Sequence, residues 1–309
     1  MQSFKKMKVM LAAAVALVAF GAVAATVALA EGGPYWIVKC HAVLGANLAE
    51  SRWEDGACTK LKVAGGNDRR LYGGENKNIA KIAAVSAVQK LKSPAVTIEC
   101  ETIGLKPGTA NKINGGNPGT DEATLVFTKC HVAGKPGCAA TSINPLKAAN
   151  IGEIVVAVKT LLGYAKGKTE GVPIYDQFFP DPGPKLFVQL EFTGSTCGAL
   201  NNTTIEVTAT GSEYTGYESF EKSKTKCGAI AEVGKINAKN EFESAVSGEL
   251  TKLGGLRLPE KAITEEEVWN PKTKKFEVIK CGLNAAGNAT QTGESSIELE
   301  GAEEFGVEV

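Results

Sequence analysis

Past residue 94 the chain alternates apolar and polar side chains in short runs, each ended by a turn-forming cluster. Val96-Thr97-Ile98-Glu99-Cys100 alternates cleanly. In Ala123–Cys138 (ATLVFTKCHVAGKPGC), Leu125-Val126-Phe127 leads into Cys130 before a Gly-Lys-Pro-Gly turn. Alternation over four to eight residues, bounded by Gly, Pro or Asn, is the pattern of a half-buried strand. It recurs in Lys185–Thr193 (KLFVQLEFT), entered from Pro180-Asp181-Pro182-Gly183-Pro184, and in Thr203–Thr210 (TTIEVTAT). Glu267-Val268-Trp269 and Lys275–Cys281 predict a hairpin around Asn270-Pro271-Lys272-Thr273, and Ser295–Glu300 and Gly306–Val309 predict closing strands. Six glutamates from Glu294 onward, with no basic residue among them, point to an edge strand there, because outward charge discourages pairing with another chain.

Two segments depart from this rhythm. Ile79, Ile82, Val85, Val88 and Leu91 recur every third residue, after Asn78 and before Pro94, which predicts a helix over Ile79–Leu91. Ile151–Tyr164 fits a helical face and a strand face almost equally. Gly152, Gly163 and the density of Val and Ile decide for strand. Ahead of both, residues 31–74 are turn-rich, with Tyr35-Trp36-Ile37-Val38 the clearest strand and Ala64-Gly65-Gly66-Asn67 through Gly73-Gly74 a loop. The expectation is an all-β fold, an antiparallel sandwich or irregular packed sheets, with at most one substantial helix (79–91). Its main domain is residues 75–309, and residues 31–74 form a small piece beside it.

The first thirty residues change the picture of where this fold works. Lys5, Lys6 and Lys8 precede an uncharged run, Val9 to Leu29, closed by Ala28-Leu29-Ala30, the three parts of a secretory signal. Cleavage is expected after Ala30, with Ala22-Val23-Ala24 a second site. Left uncleaved, the same run is long enough to span a bilayer, for which about 20 apolar residues suffice. Cleaved, the chain has no membrane span and is secreted or lies at the cell surface. Basic and acidic residues number 34 each. The lysines are scattered singly, so the concentrated basic patch of a nucleic-acid binder is missing.

Eight cysteines follow the leader, an even number in an exported chain, which implies disulfides. Eight allow 105 connectivities. The closest pairs, Cys130–Cys138 and then Cys40–Cys58, are the expected bridges, leaving Cys100, Cys197, Cys227 and Cys281 to pair among themselves.

Candidate chemistry is thin. The only two histidines, His41 and His131, each follow a cysteine, but cysteine intervals of 18 and 8 residues do not match the close ligand pairs of structural zinc sites. No metal and no cofactor is therefore expected. Gly194-Ser195-Thr196-Cys197-Gly198 lacks the central serine of a nucleophile elbow. Ser219-Phe220-Glu221-Lys222 and Ser223-Lys224-Thr225-Lys226 match Ser-x-x-Lys with no Lys-Thr-Gly after them. Gly163–Thr169 is one residue short of a phosphate loop. The best binding candidate is Tyr175, Asp176, Gln177, Phe178 and Phe179, aromatics beside polar groups of the kind that stack on and hydrogen-bond a sugar or peptide. The competing reading is that Phe178 and Phe179 plug a β core.

LKSPAVTIEC (Leu91–Cys100), TLVFTKCHVAGKPGC (Thr124–Cys138), IGEIVVAVKTLLGYA (Ile151–Ala165) and the tail TGESSIELEGAEEFGVEV carry a resemblance. In these phrases the chain resembles an uncharacterised bacterial family of secreted, β-rich, cysteine-containing proteins. The resemblance implies export, a mostly β architecture and a Cys130–Cys138 staple. The family has no established activity, so it carries over no site residues. The functional expectation is a secreted or envelope protein without catalysis, binding a cell-wall polymer or a surface protein. The alternatives are a secreted hydrolase using carboxylates not identifiable from sequence, and a structural surface protein assembling through strand edges.

Overall fold

The computed structural model describes residues 33–41, 70–72, 77–85, 88–114, 116, 118–165 and 173–308. The strands, in chain order, begin with β1 (Tyr35–His41), β2 (Arg70–Tyr72), β3 (Lys77–Ala84), β4 (Gln89–Lys92), β5 (Thr97–Cys100) and β6 (Thr102–Leu105). Then come β7 (Lys112–Asn114), β8 (Thr120–Thr128), β9 (His131–Val132), β10 (Lys135–Asn144), β11 (Ile154–Ala165) and β12 (Ile174–Pro180). Next are β13 (Leu186–Thr193), β14 (Thr204–Ala209), β15 (Ala229–Ile236), β16 (Phe242–Ser244) and β17 (Gly254–Leu258). The last are β18 (Glu265–Asn270), β19 (Lys275–Lys280), β20 (Leu283–Ala285), β21 (Asn288–Leu299) and β22 (Phe305–Glu308). A six-residue helix, Glu218–Ser223, is the one α-helix among the described residues.

All the strand ladders are antiparallel, and they close. One circuit runs β4-β5-β9-β10-β13-β14-β20-β21 and returns to β4. A second runs β3-β7-β8-β11-β12-β15-β17-β21 and returns to β3. The strand they share, β21, pairs β4 through Thr290–Thr292 and β3 through Ser295–Leu299. The change of partner falls at Gly293, whose φ is +149°. A Cβ there would lie 2.0 Å from Gln89 Oε1, and Gln89 donates from Nε2 to the Glu294 carbonyl at 2.9 Å. Only glycine gives the chain that turn and leaves Gln89 its place.

The all-β antiparallel class expected from the alternation is what the chain forms, and Ile151–Tyr164 is strand, as β11. The helix expected over Ile79–Leu91 is not formed: Ile79 and Ile82 lie in β3 and Leu91 in β4. Across from β3, Leu299 faces Ile79 and Glu298 faces Lys81, so β3 carries one extra residue at this bulge. The bulge places two inward side chains, Ile79 and Ile82, three residues apart, and a bulged strand thereby imitates helical spacing. The glutamate-bearing strand β21 is not an edge either. Its inward residues are Ser295, Ile297 and Leu299, and Glu294 and Glu298 lie on the opposite face, clear of the ladder that pairs on both sides.

The main core joins inward side chains of both circuits, and β1 contributes Trp36 and Val38 to it while pairing with β22. A smaller core lies on the other face of β11 and β12, where Leu161, Phe179, Tyr214, Phe220, Ile230 and Val268 pack together.

The expected Cys130–Cys138 bridge is absent. Cys100 pairs with Cys130, Cys138 with Cys197 and Cys227 with Cys281, at Cα separations of 4.1, 4.6 and 4.6 Å. Sheet neighbours explain this. Glu99 faces His131 across β5 and β9, which sets Cys100 beside Cys130. Ala139 faces Thr193 across β10 and β13, which sets Cys138 beside the loop that carries Cys197. Cys100 and Cys197 therefore bond outside the group of four in which they were expected, and Cys227–Cys281 is the one bridge formed within it. Cys58, and with it the Cys40–Cys58 pairing, lies outside the described residues, as does the leader.

Candidate functional site

The inward faces of the two circuits do not meet everywhere. Phe127, Val158 and Ile82 from one and Leu190, Val207 and Leu283 from the other line an interior cavity of about 120 Å³. Ala123 and Ala229 stand on its wall, where their methyl groups leave room that larger neighbours would fill. The polar groups on the wall are Gln89, Lys90, Asp121, Gln291 and Ser295. Lys90 is engaged by Glu99, 2.8 Å away.

Asp121 is the unusual member. In β8 it occupies an inward position in step with Ala123, Leu125 and Phe127, and it is 8% exposed. It faces Thr160 across the ladder to β11. Leu162, on the same face as Thr160, faces Asp176 of β12. Asp121, Thr160 and Asp176 therefore converge on the inner face of three adjacent strands. Thr160 and Asp176 are each 1% exposed, and neither the Thr160 hydroxyl nor either Asp176 oxygen has a hydrogen bond of ordinary geometry.

Burial dominates the electrostatics. Loss of water pushes the Asp121 carboxyl up to about 6, partly offset by Thr160 and Asp176. Asp176 is held well above the usual carboxylate range, first by burial and then by the charge of Asp121. Two carboxyls this close cannot both ionise cheaply, so Asp121 gives up its proton first and Asp176 holds its own more tightly.

Strand β12 separates the five residues expected to form a binding face. Asp176 and Phe178 point to the main core and cavity side, whereas Tyr175, Gln177 and Phe179 point to the smaller core. Asp176, Gln177 and Phe179 are buried, and Tyr175 and Phe178 are half-buried. Phe179 stacks edge-on against Phe220, with ring centroids 4.9 Å apart. Tyr175 faces Glu232, and Glu232 faces Arg257, which bonds it at 2.5 Å and lies over the Phe242 ring at 4.4 Å. Glu266, fully buried beneath Gly163, has Gln177 as its polar neighbour, and burial holds its carboxyl well above the usual range. A Cβ at Gly163 would lie 2.9 Å from Glu266 Oε1. A single aromatic platform is not formed, because adjacent residues of a strand face opposite ways.

Asp121 and Thr160 were missed as site residues. The signal was present: an aspartate in phase with Ala123, Leu125 and Phe127 is an acid on an apolar face. Other motifs are absorbed by local structure. Ser219 and Ser223 lie in the short helix, where the Ser223 hydroxyl donates to the Ser219 carbonyl at 3.0 Å and Lys222 pairs with Glu218 at 2.6 Å. Cys197 of the elbow-like sequence is bonded to Cys138. Residues 166–169 of the phosphate-loop-like sequence lie outside the described residues.

Among the described residues no cluster of three or more His, Cys, Asp or Glu is arranged to hold a metal ion. No helix among them is long and apolar enough to cross a membrane. Comparisons with protein-family models, with curated proteins and with solved structures find no match.

Proposed function

We propose that this is an exported binding protein, without catalysis of its own, that takes a small apolar molecule between its two sheet circuits. The cavity carries this reading. Its volume is about 120 Å³, near the roughly 150 Å³ of an apolar cavity that accepts benzene or xenon and well below the 300–1,000 Å³ of drug-sized sites. Apolar walls with few polar groups favour ligands held by shape and burial. The three bridges fit an oxidising compartment, which supports export.

A surface polymer or protein partner would draw on Tyr175–Phe179, which β12 largely buries, so that reading has less to rest on. A carboxylate hydrolase finds two converging carboxyls in Asp121 and Asp176. Here, however, they adjoin a small apolar cavity, whereas glycoside hydrolysis needs a sugar and a water between its acids. Assembly through strand edges is less favoured because both circuits return on themselves.

The test is saturable binding of benzene, or of xenon under pressure, followed by NMR on the disulfide-bonded protein. Binding is expected in the wild type and is expected to vanish in Ala123→Leu, whose side chain fills the cavity. Absence of saturable binding by either probe to the wild type would sink the proposal.

A further inference from the structure

The head group of the ligand can be argued from the same cavity, on the basis of the binding reading above. We infer that the cavity takes a small apolar molecule carrying a primary amine, its ammonium group seated on the Asp121 carboxylate beside Thr160 and Asp176. Three observations converge. Asp121 is the one carboxyl on the cavity wall, 8% exposed among apolar side chains. On the same inner face, Thr160 Oγ1 and both Asp176 oxygens are buried with no hydrogen bond of ordinary geometry, and Thr160 and Asp176 are polar neighbours of Asp121. The third is an aromatic ring at the same end. A Cβ on Gly119 would lie 2.9 Å from Trp36 Cδ1 and 3.0 Å from Leu162 Cδ1, and Leu162 faces Asp176.

These groups select among head groups. An ammonium brings three N–H donors and no acceptor, and Asp121 offers it a charged acceptor on the cavity wall, with oxygens of Thr160 and Asp176 on the same inner face of the sheet. A carboxylate or phosphate would meet the charge of Asp121 and be repelled. An alcohol brings one donor and no charge. The indole of Trp36 adds a ring of the kind that attracts cations. Lys90, the cation on the wall, is already engaged by Glu99 at 2.8 Å and does not neutralise Asp121. Folding has already stripped Asp121 of water, so a bound ammonium bears only its own desolvation before the charge-assisted bonds form.

The experiment compares n-butylamine, n-butanol and n-pentane by calorimetry and NMR on the full disulfide-bonded chain at about pH 8. The amine is expected to bind about tenfold more tightly than pentane, the difference a hydrogen bond to a charged group makes. In Asp121→Asn that ratio is expected to fall to about one. Equal binding of amine and pentane by the wild type, a preference for butanol over the amine, or an amine preference that survives Asp121→Asn would each overturn the inference and leave the cavity reading standing. Failure of all three probes to bind would remove the cavity reading and this inference with it. Should Asp121→Asn not fold, the wild-type ratio decides alone.

Discussion

Replacing Asp121 with Asn tests the electrostatics of the cavity without any ligand. In the folded protein the Asp121 carboxyl holds its proton to about pH 6, against an ordinary value of 3.8. The folded state therefore binds this proton more tightly than the unfolded chain does. Stability falls as pH rises from about 4 to about 6 and then levels off. The full cost above both values is about 3 kcal/mol, at 1.36 kcal/mol for each pH unit. Asparagine keeps the shape and cannot ionise, and it can donate to Asp176. Asp121→Asn is therefore expected to be close to wild type near pH 4 and more stable by about 1–3 kcal/mol at pH 8. Urea unfolding at both pH values, with disulfides intact and tryptophan fluorescence as the signal, reads this directly. Thermal melts should show a gain of several degrees at the higher pH, at about 2–4 °C per kcal/mol for a domain of this size. A variant less stable than wild type at pH 8, or a stability difference independent of pH, would refute the claim that a desolvated, ionised carboxyl sits in this site.

Non-reducing peptide mapping is expected to recover Cys100–Cys130, Cys138–Cys197 and Cys227–Cys281, and a Cys130–Cys138 peptide would contradict the sheet neighbours described above. Replacing both Cys138 and Cys197 with Ser is expected to cost about 4 kcal/mol, from the unfolded-state entropy of a loop closed over 59 residues, measured by urea unfolding. Gly293→Ala should lose about 2 kcal/mol or more, since its Cβ would collide with Gln89 at a positive φ; wild-type stability would show that the change of partner in β21 does not need glycine. Phe179→Ala is expected to cost about 3–5 kcal/mol and Tyr175→Ala distinctly less, because only Phe179 is fully enclosed; equal losses would contradict the assignment of Phe179 to the smaller core.

Much of the sheet was legible because strands buried on one face must alternate. β5, β8, β13, β14 and the β18–β19 hairpin stand close to where Val96–Cys100, Leu125–Cys130, Lys185–Thr193, Thr203–Thr210 and Glu267–Cys281 place them. Alternation also marks the site, since Asp121 shares the phase of Ala123, Leu125 and Phe127. It failed at Ile79 and Ile82, where a bulge lengthened the spacing to three. At Tyr175–Phe179 it holds, and it sends neighbouring side chains to opposite faces, so residue types that cluster in the sequence do not cluster in space.

Local pattern thus determined the class of fold and the positions of many strands, because each depends on residues only a few positions apart. Tertiary structure alone decided which cysteines meet, that β21 serves two circuits, and that Asp121, Thr160 and Asp176 converge beside a cavity. Those facts depend on strand order and register, which bring together residues 30 to 59 positions apart at the disulfides. Such contacts are set by how all the inward faces pack at once, and no short run of sequence contains that information.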